Sequence, residues 1–164
     1  MDSDRSSPPR VLFVCLGNIC RSPAAEGVTR ALARRIGFDV VLDSAGTGGW
    51  YVGAPPDPRM REVAAAARYD ISDLRARQFG PGDFARFDLI VAMDEQNRRD
   101  IERQRPAGST TPVTLFLSYG PSPRRDVPDP YYDGGFEEVL HLIEHAARGL
   151  LAHLVPPATR SDRS

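Results

Sequence analysis

Short apolar runs alternate along this chain with longer stretches whose apolar residues recur at helical spacing. The runs at 10–15, 39–44, 87–93 and 113–117 read as strands, the first continuous enough to be buried on both faces. The stretches at 23–36, 57–68, 95–104 and 135–154 read as helices. In the first helix Ala25, Val28, Ala31, Leu32 and Ile36 form the apolar stripe, with Arg30, Arg34 and Arg35 at polar positions. In the last, the stripe is Phe136, Val139, Leu140, Ile143, Leu150, Leu151 and Leu154. Strand and helix in alternation predict an α/β fold, a single-domain three-layer sandwich with a central four-stranded parallel sheet and helices on both faces. Residues 10–155 are expected to form it, between disordered tails at 1–9 and 156–164. Such sheets place their sites beyond the carboxyl ends of the strands. Cys15, Ser44, Asp94 and Asp129 all fall there, Asp94 as the expected N-cap of its helix.

Composition narrows the class without choosing the chemistry. With 164 residues there is room for one substantial core, and a net charge of −1 argues against a general nucleic-acid or polyanion binder. Lysine is absent and all 21 basic side chains counted are arginine, which reads as coding bias in a GC-rich genome. No run reaches membrane-spanning length, and residues 1–9 are too polar for a signal peptide, so no membrane insertion is expected. The 2 cysteines point to a reducing cytoplasm rather than to a disulfide scaffold.

The richest segment is 11–23, from Val11 through Cys15 to Arg21, Ser22 and Pro23. Arginine is so frequent here that a cysteine followed six places on by arginine means little alone. Its setting gives it weight. Cys15 ends a buried strand, and Ser22 and Pro23 supply an N-cap and a first-turn residue for the helix that follows. A free thiol titrates near pH 8.5, but at a helix N-terminus beside arginine the value falls to about 3.5–7.5, giving a reactive thiolate. The backbone of Leu16, Gly17, Asn18, Ile19, Cys20, Arg21 and Ser22 would cradle a phosphate dianion at the positive helix end. Gly17 and Asn18 tolerate the positive φ that such a loop needs. Arg21 can fork two hydrogen bonds onto phosphate oxygens, and Ser22 can bond the thiolate or the loop. The plain alternative for Cys15 is an inert buried cysteine. Cys20 has two readings, a space-filler under the loop or the partner of Cys15 in a reversible, protective disulfide.

Two other segments carry candidate chemistry. In 127–133 Asp129 lies between two prolines, which favour extended backbone and exclude a regular helix. It reads either as a solvated turn aspartate or as a general acid for a leaving oxygen and then a base for water. His141 and His145 match an H-x-x-E-H pattern, but both lie away from Ile143 on the wheel, so a solvated face is expected and no metal.

The run VCLGNICRSPAAEG closely resembles the signature of the low-molecular-weight protein tyrosine phosphatases. DPYY at 129–132 and DSAGTGGW at 43–50 resemble the family's acid loop and its second cleft loop, so the likeness runs from Val11 to about Leu154. It implies a phosphotyrosine hydrolase with a cysteinyl-phosphate intermediate and no cofactor: Cys15 nucleophile, Arg21 phosphate clamp, Asp129 acid and base. It also implies that Asn18, Ser22 and Ser44 support the loop, and that Ile19, Trp50, Tyr131 and Tyr132 border the cleft. Without it, Trp50 reads as ordinary core. Many members carry a histidine where this chain has Leu74, so any loop bond from that side chain is missing.

The expected partners are phosphotyrosine proteins, among them a cognate bacterial tyrosine kinase, with the chain a monomer or weakly self-associating. Rival readings are an arsenate reductase of the same fold, which needs cysteines beyond Cys20 that are absent, and a protein-arginine phosphatase. Those arginine phosphatases have a smaller threonine in place of Ile19. A silent phosphotyrosine-binding module is the rival from another class, although Cys15, Arg21 and Asp129 are all intact.

Overall fold

The computed structural model describes residues 7–156. Elements follow in the order β1 (Arg10–Cys15), α1 (Arg21–Arg35), β2 (Val41–Gly46), α2 (Pro58–Ala66), α3 (Asp83–Arg86) and β3 (Leu89–Ala92). Then come α4 (Glu95–Glu102), β4 (Val113–Leu115), a 3₁₀ turn (Phe116–Tyr119), α5 (Pro130–Asp133) and α6 (Phe136–Leu154). The four strands form one parallel sheet in the order β2-β1-β3-β4.

Alternation along the central strands sorts the core into two layers. Val11, Phe13, Val91 and Met93 face the side covered by α1, α2 and α6, where Phe116, Ile143 and Leu150 join them. Leu12, Val14, Ile90 and Ala92 face the other side, packed with Phe79, Phe84, Phe87 and Ile101 around α3 and α4. Both sheet faces are dry, which is why β1 reads as an unbroken apolar run. The α/β three-layer architecture expected from the sequence is the one observed.

Strand order matters for the site. From β1 the chain moves to β2 on one side and later returns to β3 on the other, so connections diverge beyond the carboxyl ends of β1 and β3. That divergence opens the crevice in which such folds hold ligands. Cys15 ends β1, and Asp94 follows β3 by two residues.

Several boundaries differ from the sequence reading. β2 starts at Val41, not 39, because it is an edge strand whose register pairs Val41 with Arg10. β3 and β4 are shorter than expected, and Phe116 and Leu117 leave the strand to form the 3₁₀ turn that buries them. Ile36 is 39% exposed at the C-cap of α1, outside the apolar stripe assigned to it. Ser22 is not an N-cap: α1 begins at Arg21 behind Cys20, and no side chain caps it. Asp129 and Pro130 do not exclude a helix. Pro130 sits at the first position of α5, where its missing N–H costs nothing, and Asp129 caps the turn. Residues 1–6 and 157–164, most of the two expected tails, lie outside the described residues. The carbonyl of Pro9 accepts from the Val41 N–H at 2.8 Å.

Candidate active site

β1 delivers Cys15 to the crevice, and the chain then wraps around its sulfur before entering α1. Asn18, at φ 59°, makes the left-handed turn, a conformation asparagine tolerates better than most residues. Its N–H reaches the Cys15 Sγ at 3.3 Å, and the Ser22 hydroxyl lies 3.0 Å from the same sulfur. The loop is tied to its neighbours by backbone bonds. Thr47 and Gly48 N–H groups donate to Cys15 and Leu16 carbonyls at 2.9 Å each, and the Asp57 N–H donates to Ile19 at 2.8 Å.

Side-chain bonds brace it from behind. The Asn18 amide nitrogen donates to Ser22 Oγ at 2.8 Å and to Ser44 Oγ at 3.0 Å. Asn18 Oδ1 accepts from the Arg77 N–H at 2.9 Å. The Arg77 guanidinium is pinned in turn by Asp43 and buried Asp83. Leu74 packs half-buried against the core, and it is a backbone N–H, that of Arg77, that braces Asn18.

Arg21 is 2% exposed, and its terminal nitrogens are anchored by protein partners. Its Nη1 donates to Asp94 Oδ2 at 2.7 Å and to the Val127 carbonyl at 3.0 Å, and Nη2 lies 3.5 Å from Asp129 Oδ2. Burial alone would lower its pKa, but Cys15, Asp94 and Asp129 more than offset this and raise it. The guanidinium is a fixed cation. Val127 is itself held by an N–H bond to the carbonyl of Met93, the residue just after β3, at 2.9 Å, which carries the segment bearing Asp129 to the site.

A cavity of about 270 Å³ opens above Cys15. Gly17, Ile19 and Arg21 form its floor and flank, and Asp129 borders it with Tyr131 and Tyr132. Trp50 also lines it but is 72% exposed, so it is neither core nor a closed wall. The residue facing Tyr131 is instead Tyr51, with ring centroids 6.2 Å apart and hydroxyls at 3.2 Å. That hydrogen bond, with some desolvation, holds the Tyr51 phenol up to about 12. Tyr131 and Tyr132 rings meet edge to face at 5.0 Å.

Sequence reasoning misses Tyr51, Asp57 and Arg59 and gives Asp94 too small a part. Tyr51 is overlooked beside Trp50. Asp94 reads from the sequence first as a cap and only second as a site residue, and it fills the cap role through Oδ1 on the Asn97 N–H at 2.7 Å. Its other oxygen holds Arg21, and its place two residues beyond β3 is the signal available. Asp57 and Arg59 form a two-point ion pair beneath Tyr131, and that pairing lowers the Asp57 pKa. Both cysteines are free and buried. Burial, then the nearby Asp57 charge, pushes the Cys20 thiol far up, so Cys20 stays protonated. His141 and His145 meet at 3.1 Å between Nε2 atoms on the outer part of α6. No group of three or more metal-ligating side chains occurs among the described residues, and no described helix is long and apolar enough to cross a membrane.

A cysteine at the end of a parallel strand, under a helix N-terminus and beside a buried arginine, defines an oxyanion-handling thiol site on a doubly wound sheet. The model of the family "Low molecular weight phosphotyrosine protein phosphatase" matches residues 10–158. The chain is 48% identical over 151 residues to the low molecular weight protein-tyrosine-phosphatase of Streptomyces coelicolor, covering 87% of this chain and 92% of that one. It is 42% identical over 147 residues to YfkJ of Bacillus subtilis, at 88% and 94% coverage. The crystal structure of YfkJ superposes with a TM-score of 0.86 over 91% of this chain and 96% of that one. The chain belongs to the low molecular weight phosphotyrosine protein phosphatase family, and it is a protein-tyrosine phosphatase, a phosphoric monoester hydrolase.

Proposed function

We propose that Cys15 is the nucleophile of this phosphatase, Arg21 the phosphate clamp and Asp129 the general acid and base. The observation that carries the assignment is the convergence of the Ser22 hydroxyl and the Asn18 N–H on the Cys15 sulfur, with the Arg21 guanidinium fixed beside it. In the first step the thiolate attacks phosphorus, the bond to the tyrosyl oxygen breaks, and Asp129 gives that oxygen its proton. In the second, Asp129 takes a proton from water as the water oxygen attacks phosphorus and the S–P bond breaks. Inorganic phosphate leaves and the thiolate is restored. Arg21 and the backbone of residues 16–22 hold the three equatorial oxygens throughout, where charge is spread in the transition state.

The substrate class is a phosphotyrosine protein. Ile19 and the Tyr51–Tyr131 wall suit a flat ring, and each aromatic contact is worth about 0.5–1.5 kcal/mol beyond burial. Trp50 and Tyr132, both largely exposed at the rim, are placed to meet the residues around the phosphotyrosine. The test is hydrolysis of a phosphotyrosine peptide by the wild type and by the Cys15→Ser and Asp129→Ala variants between pH 5 and 8. Turnover should vanish in Cys15→Ser and fall about 100-fold or more in Asp129→Ala. Full turnover in Cys15→Ser would overturn the assignment.

A further inference from the structure

α6 carries a pair of nitrogen donors that the phosphatase chemistry does not use. His141 and His145 lie one turn apart on it, with their Nε2 atoms 3.1 Å from each other and their rings edge to face at 4.4 Å between centroids. Glu144, the acid between them in the sequence, is engaged elsewhere: its Oε2 accepts from the Tyr69 hydroxyl at 2.6 Å. The H-x-x-E-H pattern therefore supplies two ligands and no free acid, too few for a structural or a catalytic zinc.

The separation of the two nitrogens is the informative quantity. Metal ions take imidazole nitrogen at about 2.0–2.1 Å, so two such bonds to atoms 3.1 Å apart meet at about 95–102°. That is close to the right angle between neighbouring positions of a square-planar, tetragonal or octahedral ion. Residues four apart on a helix are surface neighbours, so the helix alone sets this spacing. Its backbone is held in place by packing, because Val139, Leu140, Ile143, Ala146 and Ala147 are all buried in a helix of 19 residues. His141 is exposed and His145 half-buried, which leaves an ion between them open to water on one side. In the contact as it stands, one Nε2 carries the hydrogen and the other accepts it. Transfer of that hydrogen to Nδ1 of the same ring presents both lone pairs with no net change in protons.

We propose that His141 and His145 form a two-point chelating site for an exchangeable divalent transition-metal ion, taking Cu²⁺ ahead of Ni²⁺ and Zn²⁺, with water completing the coordination. Imidazole suits these ions, and the order is that of their general affinity for nitrogen sites. Mg²⁺ and Ca²⁺, which take oxygen ligands, do not fit it. The inference is independent of the roles given to Cys15, Arg21 and Asp129. Cys15 is the competing ligand, because thiolates also take soft ions. His153, the third of the 3 histidines, packs on Tyr119 two turns further along α6 and serves as the control.

The experiment titrates the untagged full chain with Ni²⁺ by isothermal calorimetry at about pH 7.5, where ordinary imidazoles are neutral. Wild type, Cys15→Ser and His153→Ala should bind one ion per chain with equal affinity. His141→Ala and His145→Ala should each weaken binding about 100-fold, the loss of a second point of attachment. All three histidine variants should keep wild-type turnover of a phosphotyrosine peptide. Cu²⁺ added to Cys15→Ser, which lacks the thiol that copper would oxidise, should give an electron paramagnetic resonance spectrum split by two imidazole nitrogens. Ni²⁺ binding unaltered by His141→Ala and His145→Ala, or lost in Cys15→Ser, would overturn the inference. So would one ion shared between two chains, or a copper spectrum split by a single nitrogen.

Discussion

Asp94 serves two elements with its two oxygens: Oδ1 caps α4 at the Asn97 N–H, and Oδ2 holds the Arg21 guanidinium, each at 2.7 Å. The pair spans the point where strand order reverses, so the loop after β3 fixes the cation that serves the loop after β1. Asp94→Asn separates the two roles, since asparagine caps helices about as well as aspartate. Stability to urea should change by under about 0.5 kcal/mol, while kcat/KM on a phosphotyrosine peptide falls about 10–100-fold as Arg21 loses its charged partner. Asp94→Ala should show the same kinetic loss and a further stability cost of about 1 kcal/mol.

Tyr51 shares a cleft wall with Tyr131, through a hydroxyl contact at 3.2 Å. Tyr51→Ala should raise KM for phosphotyrosine peptides about 3- to 10-fold with a smaller change in kcat, since a stacking wall binds substrate and transition state alike. The raised phenol has a second consequence. Its folded value near 12 lies above the ordinary value of 10.0, so the hydrogen bond's contribution to stability is whole below pH 10 and is lost as pH rises through about 12. Absorbance titration of the wild type against Tyr51→Phe should lose one late-titrating phenol.

Glu26 should make the fold less stable as pH rises. Burial is the largest influence on it and raises its pKa, although Ser44 and Arg30 pull the other way. The folded state therefore keeps this proton to higher pH than the unfolded chain, and its stabilising effect is lost as pH climbs from about 4.5 through the raised folded value. Urea midpoints at pH 5 and pH 7 should show a smaller drop for Glu26→Gln than for the wild type. An equal drop would mean that the buried carboxylate is no stability liability.

Phe13 is fully buried and meets Phe116 edge to face at 5.3 Å, under the sheet face covered by α1 and α6. Phe13→Ala should cost about 3–5 kcal/mol in equilibrium unfolding, from lost burial and the cavity left behind. A cost near 1 kcal/mol would show that α1 and α6 collapse into the space.

Much of the architecture was legible because periodicity is a local property. The unbroken run at Val11–Val14 and the stripe from Phe136 to Leu151 reflect two-sided and one-sided burial, and each recovers its element within a residue or two. The errors fell where tertiary partners overrule local preference. Ser22 has the chemistry of an N-cap, but its hydroxyl is spent on Cys15 and accepts from Asn18, so α1 starts uncapped. Ile36 has helical spacing but lies past the end of the packed face. Phe116 and Leu117 continue an apolar run, yet the backbone leaves the sheet to seat them.

By itself the sequence determined the alternation of strands and helices, the loop from Cys15 to Ser22 and the proline-flanked Asp129, since each depends on neighbours in the chain. Only the tertiary structure decided what surrounds Cys15. Asp94 reaches Arg21 across 73 positions, Arg77 reaches Asn18 across 59, and Glu26 reaches Ser44 across 18. None of these has a local signature, because hydrogen bonds and ion pairs select partners by distance and direction in space. Those directions were set by strand order, when β1 and β3 came to lie side by side and sent their loops apart.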